Sequence, residues 1–295
     1  MKISIKKLSK TFGGLGFISP ALILILIFGL IPLFLAVWIS LFNFPLLAPS
    51  RRIFVGLENY VRAFQNAELR IAFFNTLYYA LWQVPIQTGL ALLLAVLISK
   101  PMRAIGFFRT GFYLPTVISM VVASTMWMIM LDSQNGLINA FLMRFGLPRQ
   151  PFLSSTKQAL PSLAMMLSWK WVGFSMVIFL AGLHSIPDSL YEAARIDGAT
   201  SWRSFWYITL PLLRRPAIYI LITNTINAMK LFTPIYVITQ GGPQNSTLSM
   251  IYYIYREAFT YGRLGNASAI ASIYTAFLII LAIFQLRLMR SADVD

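Results

Sequence analysis

Long uncharged, apolar runs separated by short polar segments make up most of the chain. Residues 11–50, 71–99, 110–131 and 264–286 contain no Asp, Glu, Lys or Arg, and the windows 160–183 and 216–238 are each interrupted by one lysine, Lys170 and Lys230. A hydrocarbon core about 30 Å thick needs about 20 apolar residues in a helix. The pattern therefore predicts six transmembrane helices over about 17–41, 72–98, 108–131, 160–183, 216–238 and 267–288. Residues 1–16 and 289–295 are the predicted tails of a membrane domain spanning 17–288, and no segment between spans is long enough for a soluble domain. The fold class expected is an all-α membrane protein.

The first run follows Lys2, Lys6, Lys7 and Lys10, as a signal peptide would. Its apolar stretch exceeds the roughly 7–15 residues of a signal core and lacks an A-x-A site, so it reads as a retained helix. Charged residues are 11% of the chain and hydrophobic ones 58%, against about 25% charged in soluble domains. The net charge is +15, with Lys and Arg clustered between apolar runs. That is the distribution of membrane-flanking charge, and no nucleic-acid partner is expected. Placing the N-terminus inside gives thirteen basic residues in cytoplasmic segments and nine outside, a modest bias of the right sign. There is no Cys and one His, His184, which excludes disulfides, thiol catalysis and the usual metal clusters. Phosphate-loop, H-E-x-x-H and G-x-S-x-G motifs are absent, so the chain reads as no enzyme. No Asp or Glu lies inside a predicted span, which speaks against an ion-coupled carrier and for energy from another subunit.

One segment departs from the apolar pattern. Tyr191 to Pro211 reads YEAARIDGATSWRSFWYITLP and carries Glu192, Arg195, Asp197 and Arg203 between the fourth and fifth spans. Pro187 and Asp188 open a helix, with Asp188 and Glu192 near the positive end of its dipole. Leu190, Ala193, Ala194 and Ile196 interleave with the charges, Gly198 permits a sharp turn, and Trp202, Phe205, Trp206, Ile208 and Leu210 precede Pro211. The expectation is two short amphipathic helices joined at Gly198, lying on the headgroups or against a protein.

The order Glu192-Ala193-Ala194, Gly198, Ile208 and Leu210-Pro211 resembles the E-A-A…G…I-x-L-P loop of the membrane subunits of binding-protein-dependent ABC importers. A second run is similar to carbohydrate-importer permeases of the maltose type: Thr239-Gln240-Gly241-Gly242-Pro243, Ser246-Thr247, Tyr252 to Tyr255, Ala258-Phe259 and Gly265-Asn266-Ala267-Ser268-Ala269. Phe54 to Tyr60 (FVGLENY), Leu114-Pro115 and Ala181-Gly182-Leu183 with Ile186-Pro187 agree as well, so the likeness runs from the first helix to the last. It implies the type I ABC importer permease fold, with a cytoplasmic coupling helix in the loop 187–212. On that resemblance Glu192, Ala193, Ala194, Asp197, Gly198, Leu210 and Pro211 serve ATPase coupling. The partners implied are a second homologous permease, two ATP-binding-cassette ATPase subunits, an extracellular solute-binding protein, a carbohydrate and the lipid bilayer. ATP and Mg belong to the ATPase, and no cofactor is expected in this chain. The implied setting is a prokaryotic cytoplasmic (inner) membrane, crossed several times, with both termini cytoplasmic.

Polar groups in lipid are costly and face a cavity or a partner helix. The candidates are Lys170 in span four and Asn224, Asn227 and Lys230 in span five; Asn224, Asn227 and Leu231 share a helical face. The maltose-type resemblance implies a sugar pathway at Lys170, Trp171, Phe174, Asn224, Asn227, Ala228 and Leu231. The aromatic rings would stack on pyranose faces and the asparagines would bond hydroxyls, although asparagines also join membrane helices to one another. Lys170 lies too deep to snorkel, so it is either the counter-charge of an acidic substrate or paired with a backbone carbonyl or a neighbouring subunit. Lys230, nearer the outer face, is read as snorkelling. The function expected is carbohydrate import, an acidic oligosaccharide included. The alternatives are an importer of glycerol phosphodiesters and a channel or scaffold without an ATPase.

Overall fold

The computed structural model describes residues 17–99 and 105–292. The predicted tail 1–16, the last residues of the other tail and the inter-span residues Lys100 and Arg103 lie outside them. In chain order the elements are α1 (Phe17–Ile39), β1 (Phe42–Asn43), β2 (Ile53–Phe54), α2 (Glu58–Gln65), α3 (Ala67–Leu97), α4 (Ile105–Val117), α5 (Met120–Met130) and α6 (Leu137–Arg144). They continue as α7 (Ala159–His184), α8 (Asp188–Ile196), α9 (201–212), α10 (Arg214–Met229), α11 (Met250–Tyr255) and α12 (Leu264–Ala292). Four helices, α1, α3, α7 and α12, are long and apolar enough to cross a membrane.

Two of the six predicted spans are broken, so the described residues show four unbroken spans, or five with the bent pair counted as one. The window 108–131 is a pair, α4 and α5, bent by 100°. Pro115 lacks a donor near the end of α4 and weakens its last turn. The window 216–238 is helical to Met229, unwinds over Lys230–Phe232 and becomes helical again from Thr233 to Thr239. Pro234 can supply no N–H to the Lys230 carbonyl, so α10 cannot run on through it, but it is tolerated in the first turn of the short helical piece that follows.

The chain divides into two compact units. The first comprises residues up to Asn66 together with Ile254–Phe277. In it, β1 and β2 pair antiparallel with Phe42 opposite Phe54. Gly56, at φ +58, turns the chain towards α2, and Asn59, 3% exposed, donates from Nδ2 to the carbonyls of Ser40 (2.7 Å) and Phe42 (2.9 Å). A side chain at Gly265 would strike the Phe42 carbonyl, so the start of α12 lies directly on β1. Asn266 donates to the buried Glu257 at 2.7 Å, and Arg263 approaches the same carboxylate at 3.8 Å.

The second unit, Ala67–Tyr253 with the remainder of the chain, is built on α3, α4, α7 and α10. Ala91, Ala95, Val172, Met176, Phe179, Leu180, Leu213 and Ile220 form its buried core. Small residues allow the backbones to approach, as in other membrane helix interfaces. A Cβ on Gly173 of α7 would overlap the Phe112 carbonyl of α4, and one on Gly182 would lie 2.8 Å from Pro216.

Lys170 closes the α4–α5 break. It is 2% exposed, and its ammonium donates to the carbonyls of Pro115 (3.1 Å), Thr116 (3.4 Å) and Ile118. Thr116 returns a bond from Oγ1 to the Lys170 carbonyl at 3.1 Å. Of the readings open for this residue, the backbone-carbonyl one describes the geometry: the charge neutralises the negative end of α4 and supplies donors to carbonyls freed by the bend. The structure shows the carbonyl pairing and places no substrate-facing charge at Lys170.

Two substitutions test this packing. Lys170→Met strips donors from buried carbonyls and should cost about 1–3 kcal/mol, seen as a lower thermal midpoint of the purified protein. Gly173→Val should cost at least about 1–3 kcal/mol by overpacking α4 against α7, whereas Gly111→Ala, whose Cβ meets nothing within 4 Å, should leave the midpoint unchanged.

Candidate functional site

The early end of α10 opens a cavity of about 320 Å³, at the lower end of the range for small-molecule sites. Its walls are Tyr79, Gln83 and Gln87 of α3, Met120 of α5, Leu167, Trp171 and Phe174 of α7, and Asn224, Asn227 and Ala228 of α10. Lys230, Leu231, Phe232, Thr233 and Pro234, the residues of the break, complete it. Six of the seven residues expected on the substrate pathway thus meet here: Trp171, Phe174, Asn224, Asn227, Ala228 and Leu231. Lys170 does not line the cavity; its Nζ lies behind Trp171, 5.2 Å from that ring. A larger groove of about 820 Å³ between α3, α4 and α7 is almost entirely apolar.

A ladder of amides underlies the cavity. The side-chain amides of Gln83 and Gln87 lie 2.8 Å apart, Gln87 donates to Asn224 Oδ1 at 3.2 Å, and Asn224 donates to Thr88 Oγ1 at 3.3 Å. Asn224 therefore joins α10 to α3, the helix-packing role open to it, while the exposed Asn227 faces the cavity with its amide uncommitted. Gln83 and Gln87 were missed in the sequence. The available signal was two amides at i and i+4 in an uncharged run, one face of one helix.

At the other end of α10 lies the charged segment. Helix α8 begins after Pro187 and ends in a Schellman turn: Ala199 N–H returns to the Ala194 carbonyl (2.8 Å) and Gly198 N–H to that of Arg195 (3.1 Å). Gly198 holds φ +78, which a side chain resists, yet no atom of the chain lies within 4 Å of where its Cβ would be. Thr200 caps α9 by accepting from Arg203 N–H at 3.4 Å. Tyr191 and Thr209 hydroxyls, 2.9 Å apart, tie α8 to α9, and Tyr191 and Ile208 pack against the core. Of the expected coupling residues, Glu192, Ala193, Asp197, Gly198 and Pro211 are exposed, and Ala194 and Leu210 are half-buried. Ile196 is 87% exposed, so α8 presents an amphipathic surface held from behind. Trp202, Phe205 and Trp206 cluster at 5.6–6.2 Å between centroids.

The Gly-Gly-Pro run is a built loop. Gly241 is at φ +85, and Thr247 Oγ1 donates to the Gly242 carbonyl at 2.7 Å. Asn75 of α3 donates to the carbonyls of Asn245 (2.8 Å) and Leu248 (3.1 Å), fixing the loop to that helix.

Comparison with known proteins agrees with this arrangement. The arabinooligosaccharides transport system permease protein AraP of Bacillus subtilis (strain 168) is 30% identical over 278 residues, 93% of this chain and 88% of its own. The sn-glycerol-3-phosphate transport system permease protein UgpA of Agrobacterium fabrum is 32% identical over 274 residues, 92% and 93% of the two chains. A chain from the crystal structure of a bacterial alginate ABC transporter with its alginate pentasaccharide-bound periplasmic protein superposes with TM-score 0.85 at 24% identity, covering 97% of each chain. The fold is that of an ABC importer permease. The model of the family described as "Binding-protein-dependent transport system inner membrane component" matches residues 5–293, and with relatives at this level over nearly the whole chain, the protein belongs to that family.

Proposed function

We propose that the chain is the permease subunit through which an ATP-driven importer passes a carbohydrate. The observation that carries the carbohydrate is the cavity: the aromatic rings of Trp171 and Phe174 stand beside the free amide of Asn227 and the amides of Gln83 and Gln87. Aromatic faces suit the apolar faces of a pyranose, and amides suit its hydroxyls. The arabinooligosaccharide relative supports this reading. The sn-glycerol-3-phosphate relative is named for a phosphate monoester, and it keeps open a second reading, the class of glycerol phosphates, phosphodiesters included.

The family is binding-protein-dependent, so a solute-binding protein delivers the substrate. A second permease subunit and two ATPase subunits complete the assembly in this proposal, with ATP and Mg on the ATPases and both termini cytoplasmic. Glu192, Ala193 and the Gly198 turn meet an ATPase subunit, and Tyr191 with Thr209 passes the movement of α8 to α9 and the core. The chain's own part is passive. It binds and orients the solute, excludes water and changes conformation.

The assembly purified through this chain and reconstituted with its binding protein provides the test. ATP hydrolysis should rise with oligosaccharides and not with glycerol phosphodiesters; the opposite response selects the second reading. Gly198→Arg should cut stimulated hydrolysis by about tenfold or more, as loss of a well-packed interface anchor does. Its added Cβ meets no described atom beyond its chain neighbours, so its folding cost is that of the left-handed backbone at φ +78, about 1–2 kcal/mol; Gly198→Ala carries the same strain without the bulk and should keep most of the stimulation. Undiminished transport by Gly198→Arg would refute coupling through α8.

A further inference from the structure

Two lysines interrupt the apolar windows, and the structure treats them in opposite ways. Lys170 is buried with its ammonium on three carbonyls. Lys230 is exposed, lines the cavity, and its ammonium makes no hydrogen bond or ion pair with the described residues. It is also the single charged side chain in the lining: no Asp, Glu or Arg accompanies it. The remaining groups are rings, aliphatic chains, a hydroxyl or two and neutral amides. Being exposed, the Lys230 ammonium is held by no partner within the described residues and is free to take an anionic group that enters the cavity.

The backbone fixes where this cation stands. The N–H of Lys230 closes the last turn of α10, donating to the carbonyls of Ile226 and Asn227 at 3.2 Å each. Leu231, the next residue, is 5% exposed and lines the cavity too. Asn227, one turn earlier, faces the same space. Lys230, Asn227 and the two aromatic residues of α7 therefore line a single volume.

We infer that Lys230 makes this cavity selective for an anionic carbohydrate, one with a carboxylate or sulfate on its ring. In this inference, which rests on the carbohydrate reading above, Trp171 and Phe174 contact ring faces, Asn227 bonds a hydroxyl, and the ammonium of Lys230 takes the acidic group. One of the two readings left open for Lys170, a counter-charge for an acidic substrate, thereby passes to Lys230, which the sequence suggests only as a snorkelling residue.

The test uses the reconstituted assembly with its binding protein and four probes of similar size: a uronate trisaccharide, a sulfated trisaccharide, a neutral trisaccharide and a glycerol phosphodiester. One or both acidic glycans should drive uptake by the wild type, and which of them does identifies the acidic group. Lys230→Met should lose about tenfold or more of that uptake, the scale of a truncated charge pair, while Lys230→Arg retains most of it. The thermal midpoint of both variants should match the wild type. A Lys230→Met variant that imports acidic glycans normally overturns the inference. So does a Lys230→Met loss that Lys230→Arg and Lys230→Gln share, or one with a lowered midpoint, because the role is then structural. Uptake of the neutral trisaccharide alone overturns it and leaves carbohydrate import standing, whereas uptake of the phosphodiester alone removes both.

Discussion

Hydrocarbon offers no hydrogen-bond partner, so every backbone donor and acceptor at membrane depth must be satisfied inside the protein. Regular helices do this automatically, and the architecture is governed by the two places where the helix stops: the α4–α5 bend and the end of α10. At the bend, the freed carbonyls of Pro115, Thr116 and Ile118 receive the Lys170 ammonium. At the end of α10, the last N–H groups fold back on their own turn, and the unwound residues border a cavity in which polar groups are tolerated.

The same constraint accounts for the amides. Asn224, Gln87 and Gln83 would be expensive in lipid, yet they bond one another across α3 and α10 and form the polar underside of the cavity. Close glycine contacts, Gly173 on Phe112 and Gly182 on Pro216, hold the surrounding helices at backbone distance. The cavity and a packing interface are thus built from one set of side chains. The charged segment around α8 depends on the opposite condition. Its charges are exposed, and only the rear of α8 is fixed.

Much of this was legible in the sequence because it lies in local pattern. Apolar windows located α1, α3, α7 and α12 closely, since hydropathy depends on composition alone. The turn at Gly198 followed from glycine's backbone freedom between two amphipathic segments, and the FVGLENY and Gly265 motifs proved to be structural, through the Asn59 carbonyl bonds and the contact on Phe42. The breaks were less legible. Averaged hydropathy is blind to a missing backbone donor, and Pro115 and Pro234 were the signals. The destination of Lys170 was hidden for a deeper reason: its acceptors are main-chain oxygens, which no side-chain pattern records. Gln83 and Gln87 escaped attention because uncharged amides do not interrupt an apolar run when only charges are counted.

The bond at the bend also has a direction in time. Its acceptors at Pro115 and Ile118 precede Lys170 by 55 and 52 residues, and synthesis proceeds from the N-terminus. The broken span is therefore made first, with open carbonyls, and its donor arrives only with α7. Until then α4 and α5 form an incomplete element whose polar break must be kept in contact with water or the insertion machinery. The entry of α7 brings the charge and its partners together in one step, so the costliest residue in the bilayer is also the one that completes its neighbour.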